Sequence, residues 1–226
     1  MPHPFTPCQD EINDLVWRAS ETFRAGQPPG SQLNHVLILL CLKFLSDFAK
    51  EPNVIPRQSP TRWRLPDGGD FDRLCRSETG DLGERIDCVL RRIGPVNRLP
   101  GDAEFPSVSF SDDQALGEIK EREFRLKRLV KDFQDPRLDF RPSRIGALDV
   151  IGNSHDHLVT RSISTWGDVG RSFLSPEVSG QVLKLAAAHR MKMADLPLLQ
   201  RRIDELECEL AMLRLEMRKQ FKDLKR

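Results

Sequence analysis

Two histidines one residue apart, His155 and His157 in "NSHDHLV", raise the first chemical question in this sequence, which is whether they hold a metal ion. On a helix, positions i and i+2 point about 200° apart, so the pair cannot grip one ion and no metal site is assigned. A thiol beside an imidazole is the next chemistry to weigh, and Cys41 with His35 is the candidate pair. Both lie in "LNHVLILLCLKFL", whose composition demands burial, and a buried cysteine behaves as a small hydrophobe rather than as a nucleophile. The stretch Gly80-Asp81-Leu82-Gly83 lacks the Lys-Ser/Thr that completes a phosphate loop, and it is read as the start of a helix. No catalytic residue is therefore assigned.

Cations are more informative. Lys120, Arg122, Arg125, Lys127, Arg128 and Lys131 crowd one segment and reach on towards Arg137, Arg141 and Arg144, with Glu118, Glu121, Glu123 and Asp132 interleaved. Two readings stay open: a solvated helix face laced with i,i+4 pairs, or phosphate contacts to nucleic acid made by Lys120, Arg125, Lys127, Arg128 and Lys131. In "GRSFLSPEV" the Ser175-Pro176 pair carries a different signal. Proline lacks an amide proton and is tolerated in the first turn of a helix, with Ser175 before it as the natural N-cap.

The elements that must position these residues are helical. From Glu11 to Phe23 the apolar positions Ile12, Leu15, Val16, Ala19 and Phe23 recur at the helical period. Ser31 to Lys50 is apolar nearly all round, which predicts a helix packed on several sides. Pro52, Pro56 and Pro60 forbid its continuation, Asp67-Gly68-Gly69 is turn chemistry, and Leu82 to Ile93 is again helical. Asp113 to Phe133 predicts one amphipathic helix with Leu116, Ile119, Leu126, Leu129, Val130 and Phe133 on its apolar stripe. Ile145 to Ser162 predicts another, and Gly167 to Ser175 a loop. Nothing alternates strand with helix, so the fold class is all-α: a helical domain over 1–190 followed by a coiled-coil helix over 195–226.

That last helix rests on a heptad. Leu196, Leu199, Ile203, Leu206, Leu210, Leu213 and Met217 alternate at three and four, and Leu224 continues the series. With Leu196 and Ile203 at a, Arg202 faces Glu207 and Glu209 faces Arg214 across a parallel dimer, both pairs opposite in sign, while antiparallel pairing of Glu207 with Arg214 is also favourable, so charge does not set the orientation. Leu196, Leu199, Ile203, Leu206, Leu210 and Leu213 are the expected homodimer interface; folding back onto the body is the other reading.

Bulk properties bound the function. The 226 residues suffice for one good-sized core, and 35 Lys+Arg against 34 Asp+Glu leave no whole-protein field that draws in a polyanion. Five cysteines, widely spaced and without CxxC, argue against a disulfide framework or structural zinc and for a reducing cytoplasm. The N-terminus is not a signal peptide, and the apolar run "VLILLCL" is far below the ~18 residues that suggest a membrane span. No membrane partner is expected.

Three ordered stretches carry a resemblance. "LNHVLILLCLKFLSDFAKE" (Leu33 to Glu51), "ALDVIGNSHDHLVTRSI" (Ala147 to Ile163) and "GRSFLSPEVSGQVLKLA" (Gly170 to Ala186) resemble the N-terminal part of the DNA-modification subunit of type I restriction-modification systems. "WRAS" from Trp17 and "TRWRLP" from Thr61 fit as well, so the match runs from Glu11 to about Ala188. The resemblance implies a helical domain that packs against the sequence-recognition subunit and helps embrace DNA. It also implies that a Gly-x-Phe-aromatic-Thr-Pro segment leads into the methyltransferase domain and contributes to the S-adenosylmethionine pocket. Here Phe173, Ser175 and Pro176 would be the remnant of that edge. Leu174 replaces the usual aromatic, and an extra residue separates Gly170 from Phe173.

The family's next motifs, a Gly-rich loop of Asp-Pro-x-Cys-Gly-Ser-Gly type and an Asn-Pro-Pro-aromatic grip for a flipped adenine, do not occur in these 226 residues. The expectation is a subunit truncated before its catalytic domain: a non-catalytic module that binds DNA and a type I specificity subunit, a modification subunit or itself. It would hold S-adenosylmethionine only if a catalytic partner completed it. The alternatives are half of a split adenine-specific methyltransferase and a truncation remnant with no selected role.

Overall fold

The computed structural model describes residues 8–24, 30, 32–51, 64–76, 81–97, 108–146, 148–187 and 189–190. The chain divides into two units, 1–188 and 189–226, and every element below belongs to the first. The heptad residues Leu196 to Leu213 lie outside the described residues.

Among the described residues the secondary structure is helical and contains no strand, so the chain is all-α. Its helices are α1 (Gln9–Arg24), α2 (Gln32–Ala49), α3 (Phe71–Arg76), α4 (Leu82–Asn97), α5 (Asp113–Leu116), α6 (Ile119–Asp132), α7 (Pro142–Ile145) and α8 (Val150–Trp166). A 3-10 turn over Gly167–Ser172 follows α8, and α9 spans 176–187.

Helix α2 is the axis of the fold. All of it except its first and last residue is buried, as an apolar run without a polar face requires. By length and composition α2 could cross a membrane, but here it is the core helix, wrapped by α1, α3 and α8. Phe44 stacks on Phe48 at 5.6 Å and meets Phe140 at 6.2 Å, so the 138–140 segment closes the core over the C-terminal half of α2. Helix α1 packs on α2, α6 and α8. At its α8 face Ser154 Oγ donates to Asn13 Oδ1 at 3.3 Å, and Gln9 Nε2 donates to the same oxygen at 2.8 Å.

Two predicted helices break where glycine intervenes. The segment Asp113 to Phe133 is two helices rather than one, because Gly117 adopts φ 83°, a left-handed conformation that ends α5. Ile119 consequently starts a new helix and leaves the apolar stripe, 54% exposed, while Leu126, Leu129, Val130 and Phe133 remain buried. The helix predicted from Ile145 likewise stops at Gly146 (φ 55°) and restarts at Val150, where the Asp149 carboxylate accepts from Gly152 N at 3.0 Å.

Around α4 the prediction of a helix start at Gly80-Asp81-Leu82-Gly83 matches the geometry. Asp81 Oδ1 accepts from Gly83 N at 2.8 Å and Glu84 N at 3.3 Å, which caps α4. Gly83 has a second duty, since a Cβ there would stand 2.1 Å from the carbonyl oxygen of Phe110. Asp87, one turn on, receives the amides of Phe110 (2.7 Å) and Ser111 (3.1 Å) and so pins the segment that buries Phe110.

Candidate docking and nucleic-acid surfaces

The segment after α8 is built by close approach and capping. Gly170 lies so near the end of α8 that a Cβ would meet Ser162 O at 2.2 Å, and Ser162 Oγ donates to Gly170 O at 3.1 Å. The chain then turns Phe173 inward, 8% exposed, against Trp166 with ring centroids 5.4 Å apart in an edge-on pair. Asn34, buried in α2, fastens this turn from both ends. Its amide nitrogen donates to Phe173 O at 3.2 Å, and its amide oxygen accepts from Ser175 N at 2.9 Å. Ser175 Oγ accepts from Val178 N at 3.1 Å, so this hydroxyl is the N-cap of α9, as the Ser-Pro pair predicts. Pro176 and Glu177 are exposed. The assigned trio thus sorts into an internal anchor (Phe173), a cap (Ser175) and a surface residue (Pro176).

Beside that anchor is a cation-aromatic ladder which sequence reading did not identify as such. Trp17 of α1 packs on Trp166 of α8 at 5.4 Å with a 33° tilt. Arg161 lies over the Trp17 ring at 5.5 Å and Arg24 over the Trp166 ring at 5.7 Å, within cation–π range. The two tryptophans and Phe173 therefore form one cluster joining α1, α8 and the turn.

Helix α6 sorts its cations by side. Arg122 is buried and bridges Asp81 and Asp113, while Arg125, 4% exposed, pairs with Glu121. Burial alone would raise the Asp81 carboxyl, but Arg122 and the amides of Glu84 and Gly83 outweigh it and hold it below its ordinary value. Arg125 is therefore placed in the interior, where it cannot reach a phosphate. Lys120, Lys127, Arg128 and Lys131 are exposed. Lys127 pairs with Glu123 at 3.2 Å, and Arg128 lies 5.8 Å from the ring of Phe124, itself 60% exposed. The predicted extension towards Arg137, Arg141 and Arg144 is neutralised locally: Arg137 pairs with Asp135 at 2.7 Å, and Arg141 and Arg144 pair with Asp139 at 2.5 and 3.3 Å.

At the end of α6 an open cleft of about 530 Å³ lies against α1, lined by Arg18, Thr22, Lys131, Asp132, Gln134 and Arg137 among others. Oδ2 of Asp132 is buried there without a hydrogen-bond partner among the described residues. Burial pushes the Asp132 carboxyl up, against the opposing charges of Arg128, Lys131 and Arg18.

A second cavity, about 350 Å³, is lined by charged groups from α2, α3 and the 139–141 segment. Lys43 and Asp47, an i,i+4 charged pair in the mainly apolar α2, bond each other in the interior. Asp47 also receives Lys50 at 2.8 Å and the amide of Phe140 at 3.1 Å. Lys50 reaches on to Asp72 at 2.8 Å and holds that carboxyl below its usual range despite burial. Every charge named here has its counter-charge within the network, which ties α3 and the 138–140 segment to α2. The i,i+4 spacing of two charges inside "CLKFLSDF" is the sequence signal for it.

The residues weighed for thiol and metal chemistry take structural places. Cys41 is fully buried and burial raises its thiol, while His35 bonds the Ser109 carbonyl at 3.1 Å and packs edge-on against Phe110. Burial pushes the Cys75 thiol up to about 12, away from the thiolate a nucleophile needs. His155 Nδ1 meets Asp156 Oδ1 at 3.0 Å, and among the described residues no group of three or more His, Cys, Asp or Glu could hold a metal ion. No family model matches this chain, and no curated protein matches it either.

Proposed function

We propose that this chain is a non-catalytic docking module of the type I modification-subunit kind, which binds a specificity or modification subunit and contacts DNA. The observation that carries the reading is convergence. Contacts join four of the five stretches that resemble the family: Trp17 of "WRAS" packs on Trp166, three residues beyond "ALDVIGNSHDHLVTRSI", Ser162 of that stretch bonds Gly170 of "GRSFLSP", and Asn34 of "LNHV" bonds the backbone of Phe173 and Ser175. Residues far apart in sequence thus form one cluster, which supports reading the stretches as parts of one domain. Lys120, Lys127, Arg128 and Lys131 supply the phosphate-contacting charge.

The Gly-rich loop and the adenine-gripping motif are not in this sequence, so methyl transfer is not assigned to it. The protein would work in the cytoplasm, where its partners act. A methyl-transfer assay with labelled S-adenosylmethionine, a specificity subunit and its target duplex tests the non-catalytic part. No label should reach the DNA, and a low-micromolar dissociation constant for the cofactor on the lone chain would overturn the reading. Transfer that appears only when a second chain with the two missing motifs is supplied would establish the split methyltransferase instead.

A further inference from the structure

The outward face of α6 is more specific than a basic patch. At about 100° per residue, Lys120, Phe124, Lys127, Arg128 and Lys131 fall within a sector of about 100°, opposite buried Arg122 and Leu129. No acidic residue enters this sector. Glu121, Glu123 and Asp132 flank it: the first two pair with Arg125 and Lys127, and Asp132 lies near enough to Arg128 and Lys131 to feel their charge. Lys120, Arg128 and Lys131 have no carboxylate within ion-pair distance among the described residues. From Lys120 to Lys131 the face runs roughly 16 Å, with the Phe124 ring, 60% exposed, in its middle. Lys131 then leads to Arg18 at the rim of the α1 cleft, so the cationic path continues beyond the helix.

We infer that this face binds single-stranded nucleic acid, with Lys120, Lys127, Arg128 and Lys131 on the phosphates and a base stacked on Phe124. The charge identifies a polyanion, and the ring identifies which one. In a duplex the bases are stacked on each other and offer only edges, so an aromatic face amid lysines has nothing to stack on. An unpaired strand offers a flat base beside each phosphate, which suits one exposed ring set among cations on α6. Arg128, 5.8 Å from the ring centroid, makes its cation–π contact with Phe124 itself and leaves the other face of the ring for a base. An acidic peptide would satisfy the lysines and leave the ring in water.

This inference rests on reading α6 as a nucleic-acid face, whereas subunit docking is independent of it. Fluorescence anisotropy on the full chain separates the two, using a labelled oligothymidine of about 12 nucleotides, a duplex of the same length and poly-glutamate. The single strand should bind at least about tenfold tighter than the duplex. Phe124→Leu should lose about tenfold on the single strand only, with its helical circular dichroism unchanged. Lys120→Gln with Lys131→Gln should flatten the salt slope by roughly 1.4, at about 0.7 per phosphate lost. Equal or tighter duplex binding, or an unaffected Phe124→Leu, would overturn the single-strand inference and leave DNA contact standing. Preference for poly-glutamate, or no binding to either nucleic acid, would overturn both and leave only docking.

Discussion

Replacing Asn34 with alanine should strip the turn at 173–175 of its two fastenings at once. The side chain is 6% exposed and makes one donated bond of 3.2 Å to Phe173 O and one accepted bond of 2.9 Å from Ser175 N. Each such bond contributes about 0.5–1.5 kcal/mol net, and an unsatisfied buried partner costs about 1–3 kcal/mol. Together with the small cavity left by the amide, the expected loss is about 2–4 kcal/mol. For a domain of this size that is a fall in Tm of roughly 5–15 °C. Asn34→Asp should be no better, since it keeps the acceptor for Ser175 N but removes the donor to Phe173 O and buries a charge. Ser175→Ala is the calibration: it removes only the cap to Val178 N and should cost about 1 kcal/mol. Thermal melting by circular dichroism reads all three. If Asn34→Ala melts within about 0.5 kcal/mol of the parent, the turn is not held by this amide and the convergence argument loses its main tie.

Gly170→Ala drives a Cβ into Ser162 O at 2.2 Å, so the turn must shift; a loss of about 1–3 kcal/mol in chemical denaturation is expected, and none would mean the approach is looser. For Asp132, burial favours the protonated form in the folded chain, so its contribution to stability is present below the unfolded pKa and is lost as pH rises through the folded one. Asp132→Asn should therefore melt higher than the parent near pH 7, by about 1 kcal/mol or less, with the gain gone near pH 3. In the heptad, where exposed leucines would each forgo ~1.5–3 kcal/mol of burial, Leu206→Glu with Leu213→Glu should turn a dimer into a folded monomer in analytical ultracentrifugation. A parent that is already monomeric at tens of micromolar, and a double variant that unfolds, would place the stripe against its own body.

Period and composition made the fold class readable because the strongest signals were local. The α1 stripe from Ile12 to Phe23 and the all-round apolar α2 both stand where hydrophobic spacing puts them. The breaks at Gly117 and Gly146 were not readable, since each depends on a positive φ that periodicity does not register. Short α3 escaped for want of a full turn pattern, Phe71–Arg76 being only six residues. On α6 the sequence showed a basic cluster but not its sides: Arg122 and Arg125 are buried, and Arg122 reaches buried Asp81, a partner 41 positions away. Phe124 went unnoticed for the converse reason, since an apolar residue off the stripe has no periodic partner to betray it. Asn34 is legible only in three dimensions, its bonds spanning 139 and 141 positions.

Sedimentation velocity of this chain, alone and mixed with a type I specificity subunit, tests the proposed docking role most directly. The account predicts a new, faster boundary containing both proteins, which survives loss of the α6 cations but is weakened when Asn34→Ala loosens the Trp17–Trp166–Phe173 cluster. Separate sedimentation of the two proteins at tens of micromolar, and likewise with a complete modification subunit, would contradict it.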